Sequence, residues 1–233
     1  MAFLTVNFIS KSLMRTVPVN VILPADKLVF PGMPEPEDKP FKLMILLHGI
    51  LGNYTDWVNG TRIQRWAEAK NLCVVMPSGD NAFYVDLPQS GNFYGKFIGE
   101  ELPAMMRKMF HISDRREDCY IAGLSMGGFG TTYHALKYPQ KFTYAYAMSP
   151  AVSGDMKGYV DAQADKSVFP AFTFEVGNQD TTVNNAQTKE LADYMAEKGL
   201  TVEYIARDGI HYWDFWQQCL PKALAKAGES FNK

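Results

Sequence analysis

The chain has 233 residues, 47% of them apolar and 21% charged, which excludes a disordered protein and promises a sizeable core. A formal net charge of −2, with no basic run longer than a pair, excludes a general nucleic-acid binder, because phosphate contacts need concentrated Lys and Arg. Cys73, Cys119 and Cys219 are odd in number and too widely spaced for a CxxC metal or redox motif, so they read as buried free thiols.

The N-terminal stretch MAFLTVNFISKSLMRTVPVNVILP has no basic residue ahead of its apolar part, and Thr5 and Asn7 interrupt that part. It reads as a strand rather than a signal peptide. No run approaches the roughly 18 apolar residues of a membrane span. The expectation is a cytoplasmic protein that does not engage a membrane.

Residues 2–10 and 14–23 predict two strands, paired as a hairpin, followed by a proline-rich surface loop from Pro24 to Pro40. Phe41 to Leu47 is almost continuously apolar, as suits a strand in a sheet covered on both faces. His48-Gly49 ends it. A helix is expected over 61–70, then a buried strand at Leu72–Met76, stopped by Pro77-Ser78-Gly79. Residues 80–94 form an aromatic, turn-rich loop. A helix over 95–109 should kink or restart at Pro103. Beyond it, strands are expected at 118–122, 142–148, 169–176 and 200–206, and helices at 127–138, 184–198 and 213–226. This alternation predicts one α/β domain over 1–233, with a mostly parallel sheet and helices on both faces.

The stretch IAGLSMGGFG at 121–130 surrounds one serine with glycines, which are costly inside regular elements. It falls where a strand gives way to a helix. Gly123-x-Ser125-x-Gly127 therefore matches the nucleophile elbow, a sharp turn that lifts the serine oxygen above the sheet edge. Free N–H groups at the helix start favour negative charge developing there.

An alcohol is a poor nucleophile at neutral pH and needs a base, itself oriented by a third group. The chain order Ser, acid, His leaves two of the four histidines, His134 and His211. His134 lies nine residues along the following helix, too far to reach back. His211, in the loop after the last strand, is the expected base. Asp180, in the turn after the buried run FTFEV, is the expected acid, with Asp155 after the preceding strand as the alternative. Asp208 and Asp214 flank His211 too closely. The oxyanion hole is expected from the N–H of Met126, after the serine, and of Ile50, with Leu51 next, in the turn HGILG. His48 in that turn reads as a structural hydrogen-bonding group.

These pieces resemble an esterase family that includes the tributyrin esterases, the S-formylglutathione hydrolases, feruloyl and acetyl-xylan esterases, and the mycolyltransferases. The resemblance is nearest to the tributyrin esterases. It is carried by LLHGILGNYTDW at 46–57, VVMPSGDNAFYVD at 74–86, GEELP at 99–103, IAGLSMGG at 121–128 and HYWDFW at 211–216. It implies an α/β-hydrolase fold and carboxylester hydrolysis without a cofactor or metal. It supports Ser125, Asp180 and His211 as the triad and Ile50 and Met126 as the hole. It also implies an aromatic cleft, with Leu51, Trp57, Tyr94 and Trp213 as candidates to touch substrate. Only about twenty residues, Ser149–Val168, stand where such proteins often carry a longer insertion, so the cap is expected to be short or absent and the groove open.

The expected function is a serine carboxylesterase of short acyl esters, acetyl to butyryl, with acylated sugars or feruloyl esters as further candidates. Its partner is then a small-molecule ester, with homo-oligomers also expected as a possibility. A thioesterase, a sugar acyltransferase and a non-catalytic binding module on the same scaffold are the alternatives, the last disfavoured by the completeness of the serine, histidine, acid and glycine set.

Overall fold

The computed structural model describes residues 1–32, 38–68 and 70–227. Strands β1 (Ala2–Ser10) and β2 (Arg15–Leu23) form the expected hairpin. The part of the proline-rich loop over 33–37, and residue 69 of the helix expected over 61–70, lie outside the described residues. Strand β3 (Lys42–Leu47) leads to α1 (Asp56–Gly60) and α2 (Ile63–Glu68), and β4 (Leu72–Pro77) follows. One helix was expected where two stand. Thr61 separates them: its hydroxyl donates to Trp57 O and accepts the N–H of Ile63, closing one turn and opening the next.

The aromatic loop contains a small hairpin, β5 (Asp86–Leu87) with β6 (Asn92–Phe93). The next helix begins as α3 (Tyr94–Lys96), widens into a π turn over Phe97–Glu101 and resumes as α4 (Leu102–Met109). Leu102 N–H reaches back to Phe97 O, and Pro103, which has no N–H to offer, falls in the first turn of α4.

From there the chain alternates. Strands β7 (Cys119–Leu124), β8 (Tyr144–Met148), β9 (Ala171–Gly177) and β10 (Val202–Arg207) are interleaved with α5 (Met126–Lys137), α6 (Met156–Ala162) and α7 (Asn185–Glu197), and α8 (Trp213–Lys226) closes the described chain. The eight-stranded sheet has the order β1-β2-β4-β3-β7-β8-β9-β10. β1, β2 and β4 pair antiparallel, and every later pair is parallel. This is the mostly parallel α/β sheet expected from the alternation, in the α/β-hydrolase arrangement that the resemblance implies.

Strands β4, β7, β8 and β9 are buried along their whole length, as the absence of polar alternation predicts for a sheet covered on both faces. One core layer holds Leu43, Ile45, Val75, Ile121 and Phe174. The other holds Met44, Leu46, Val74 and Tyr120, the alternate residues of β3, β4 and β7, with Tyr146 of β8, against Trp57, Phe215 and Trp216. Each fully buried large side chain contributes about 1.5–3 kcal/mol. The three cysteines are free and buried, and desolvation pushes their thiols up, to about 12 for Cys73, about 11 for Cys119 and about 12 for Cys219. No helix among the described residues is long and apolar enough to cross a membrane.

The segment Ser149–Val168, where a short or absent cap was expected, contains regular structure. It holds α6 and a short 3-10 turn, Lys166–Val168. α6 packs beside α5 and α7 as part of the helical layer.

Candidate active site

All parallel strands end at one edge of the sheet, and the groups singled out in the sequence gather there. Ser125 follows β7 directly and precedes α5. Its backbone has φ 54° and ψ −115°, a conformation that L residues rarely adopt. Ser125 N–H donates to Met148 O, and its carbonyl accepts from Phe129 and from Ala151, so the turn is tied to β8 and α5 together. The flanking glycines are required sterically. A methyl on Gly123 would lie 2.4 Å from Gly127 O, and one on Gly127 would lie 2.4 Å from Leu47 O. The elbow closes only because neither residue has a side chain.

His211 Nε2 lies 2.9 Å from Ser125 Oγ, and His211 Nδ1 lies 2.6 Å from Asp180 Oδ2. Ser125 and Asp180 are both 7% exposed. The other oxygen of Asp180 accepts the N–H groups of Thr182 and Val183, which fixes the carboxylate plane. With a carboxylate facing Nδ1, the proton of the neutral ring belongs on Nδ1, and Nε2 presents its lone pair to the serine.

The loops bearing the acid and the base are joined to each other. Asn178 N–H donates to Arg207 O, Gln179 N–H donates to Gly209 O, and Gly209 N–H donates to Gln179 Oε1 at 2.7 Å. Beneath them lies Glu175, wholly buried in β9, bound by Tyr146, Arg207 and Lys222. Burial pushes this carboxyl up, but the hydrogen bonds from Lys222, Tyr146 and Arg207 outweigh it and hold the group below the usual range. It stays ionised and anchors Arg207, from which the His211 loop departs.

The turn after β3 faces the serine from the other side. A methyl built on Gly49 would come within 3.5 Å of Ser125 Cβ. Leu51 N–H donates to Asn81 Oδ1 at 2.7 Å, while the N–H groups of Ile50 and Met126 have no acceptor among the described residues. That separates Ile50 from Leu51, which the sequence left as neighbouring candidates. His48 is structural. Gly79 N–H donates to its Nε2 at 2.8 Å, so Nδ1 carries the proton and donates to Gly49 O at 2.6 Å. Burial lowers its pKa and keeps it neutral. His134 is also buried and engaged elsewhere, donating from Nε2 to Tyr84 O, and desolvation lowers its pKa to about 3.

Two expectations fail. Trp57 and Tyr94 were candidates to touch substrate, yet each is 1% exposed. Trp57 packs edge-to-face on Trp213, and the Tyr94 hydroxyl accepts from Arg15. Both rings fill the core instead. Asp155, the alternative acid, instead caps α6 through the N–H of Gly158. Leu51 is 85% exposed at the rim. Trp213 is half-buried between Trp57 and Trp216.

The sequence reading missed Trp216, whose ring stands at 90° to the His211 ring with centroids 4.9 Å apart. Its indole N–H donates to Ser149 Oγ. The signal was its place five residues after the histidine, one helical turn into α8, within HYWDFW.

The sheet order, the elbow and the Ser-His-Asp line define a serine hydrolase of the α/β-hydrolase class. Over residues 10–227 the chain matches the family described as "Putative esterase", and it belongs to that family. It is 30% identical to an acetyl esterase of Caldicellulosiruptor saccharolyticus, over 96% of this chain and 97% of that one. Among solved structures it resembles the fluorophosphonate-binding serine hydrolase FphF of Staphylococcus aureus, with a TM-score of 0.85 at 24% identity, over 98% of this chain and 99% of that one. It also resembles the S-formylglutathione hydrolase FrmB of Staphylococcus aureus, with a TM-score of 0.79 at 24% identity and the same coverage. The protein is a serine ester hydrolase.

Proposed function

We propose that the chain hydrolyses short-chain carboxylic esters, acetyl to butyryl, through an acyl-enzyme on Ser125. The observation that carries this reading is the unbroken line from Asp180 Oδ2 through His211 to Ser125 Oγ, at 2.6 and 2.9 Å. His211 takes the serine proton as Oγ attacks the ester carbonyl, and the resulting alkoxide lies against the N–H groups of Ile50 and Met126. The tetrahedral intermediate expels the alcohol, to which His211 returns the proton. Water, deprotonated by the same ring, then attacks the acyl-serine and releases the acid. Nothing in the sequence of steps needs a further group.

A small acyl group suits the packing. Leu124, Met126 and Phe129, which bracket the serine along the chain, are all buried and already packed. The identity to an acetyl esterase supports the same reading. On the rim, Ile50, Leu51, Ile210 and Tyr212 are exposed apolar side chains flanking the hole and the base, a surface fit for the alcohol part of a larger ester.

A panel of p-nitrophenyl acetate, butyrate and octanoate, with methyl ferulate and S-formylglutathione, tests the substrate class. The expected result is the highest kcat/KM for acetate or butyrate and a fall of about tenfold or more by octanoate. A preference for octanoate, methyl ferulate or S-formylglutathione would overturn the assignment.

A further inference from the structure

We infer that Asn81 is a positioning residue for the oxyanion-binding turn, acting through the Leu51 amide and not on the substrate. The inference rests on the reading of Ile50 and Met126 as the oxyanion donors. It goes further by naming what holds one of them in place.

The turn after β3 is strained at Leu51, whose φ is 65°. A non-glycine residue in that region persists only where the surroundings enforce it. The contact on the Leu51 backbone is the hydrogen bond from its N–H to Asn81 Oδ1 at 2.7 Å. This bond fixes the peptide plane between Ile50 and Leu51. The preceding plane, which carries the Ile50 N–H, is fixed at its other end by the bond from His48 Nδ1 to Gly49 O. The Ile50 amide is thus held from both sides, and the neighbouring Leu51 amide, which could compete for an oxyanion, is already satisfied.

Asn81 is itself held unusually firmly. In the five residues Asp80–Tyr84, four have positive φ: Asp80 43°, Asn81 55°, Phe83 50° and Tyr84 58°. None is glycine. This segment is pinned to two buried histidines on different elements. His48 accepts the Gly79 N–H, and His134 donates to Tyr84 O at 3.0 Å. The Tyr84 hydroxyl closes the frame by donating to His48 O at 2.9 Å, and Arg15 binds Asp80 from β2. Strain concentrated beside a reactive centre, in a segment whose Asn81 side chain meets the oxyanion turn, is the signature of preorganisation. Asn is also the residue type best suited to this place, since it tolerates the left-handed region and carries a short acceptor.

The test uses two variants. Asn81→Gly accepts the backbone conformation without strain but removes the acceptor. Asn81→Asp retains the acceptor in an exposed, solvent-screened position. Each is measured for kcat and KM on p-nitrophenyl acetate, for thermal midpoint, and for affinity toward a trifluoromethyl ketone, which forms a hemiketal with serine and so reports on the oxyanion site. Loss of a whole hole donor costs about 10²–10³-fold, so a misplaced one should cost about 10–100-fold. The expected result for Asn81→Gly is a parallel fall of about tenfold or more in kcat and in ketone affinity, with KM within about threefold and no loss of thermal midpoint. Asn81→Asp should recover at least about fivefold of that loss. A smaller fall, a loss confined to KM, or equal losses in the two variants would overturn the inference. Failure of the site reading itself shows separately, as activity that survives Ser125→Ala.

Discussion

Ser125→Ala should lower kcat on p-nitrophenyl acetate by about 10⁶-fold, the scale seen when members of a triad act as one unit. What remains is the contribution of the oxyanion donors and of binding, about 10³-fold over water. The fold should survive. The substitution removes one hydrogen bond to His211, worth about 1 kcal/mol, and leaves the backbone at φ 54°. Ser125→Gly separates chemistry from strain. It should be equally inactive yet more stable than the alanine variant by about 1 kcal/mol, because glycine occupies this conformation without the Cβ penalty while giving back part of the gain as chain entropy. Paired kinetics and thermal melts check both. An alanine variant within about tenfold of the parent would remove Ser125 from the mechanism.

Asp180→Asn should lower kcat by about 10⁴-fold, and the reason is specific to this turn. One carboxylate oxygen accepts two backbone N–H groups, from Thr182 and Val183. In the variant those donors select the amide oxygen, which leaves the NH₂ group facing His211 Nδ1. Nδ1 must then accept, so the ring proton moves to Nε2, the atom that should take the serine proton. The geometry survives with the wrong tautomer. Asp180→Ala should fall by a comparable factor without that constraint, and Asp180→Glu should recover part of the loss only if the longer chain still reaches Nδ1. Steady-state kinetics on the three variants, beside an unchanged thermal midpoint for Asp180→Asn, is the check. An asparagine variant within about tenfold of the parent would mean that the acid does not set the tautomer.

Much of this arrangement is legible in the sequence, for identifiable reasons. The elbow is visible because two crossing segments of backbone exclude a Cβ, and only glycine meets that demand; it leaves GxSxG in the sequence. His211 and Asp180 are found by chain order among few histidines and few post-strand turns, and the structure brings both to Ser125. Strand positions were legible because strands buried on both faces leave unbroken apolar runs.

What was not legible follows from the same physics. Left-handed backbone at Asp80, Asn81, Phe83 and Tyr84 leaves no mark, because none of them is glycine, so the frame around the oxyanion turn stayed hidden. Glu175 sits in an apolar run, and no local pattern says that Arg207 and Lys222 will converge on it from distant segments. Trp57 and Tyr94 were misplaced because an aromatic side chain serves a core as readily as a cleft. The short helix α6 was missed because seven residues, two of them alanine and glycine with a polar flank, give too little periodicity to detect.

The central claim is that His211, set by Asp180, makes Ser125 the atom that receives the acyl group. Rapid quenching of the enzyme with p-nitrophenyl acetate, followed by intact-mass measurement and peptide mapping, tests it directly. The account predicts one acetyl group per chain, formed with a burst of p-nitrophenol and located on the peptide containing Ser125. An acetyl group on any other residue, or ester turnover with no acylated serine at any quench time, would contradict it.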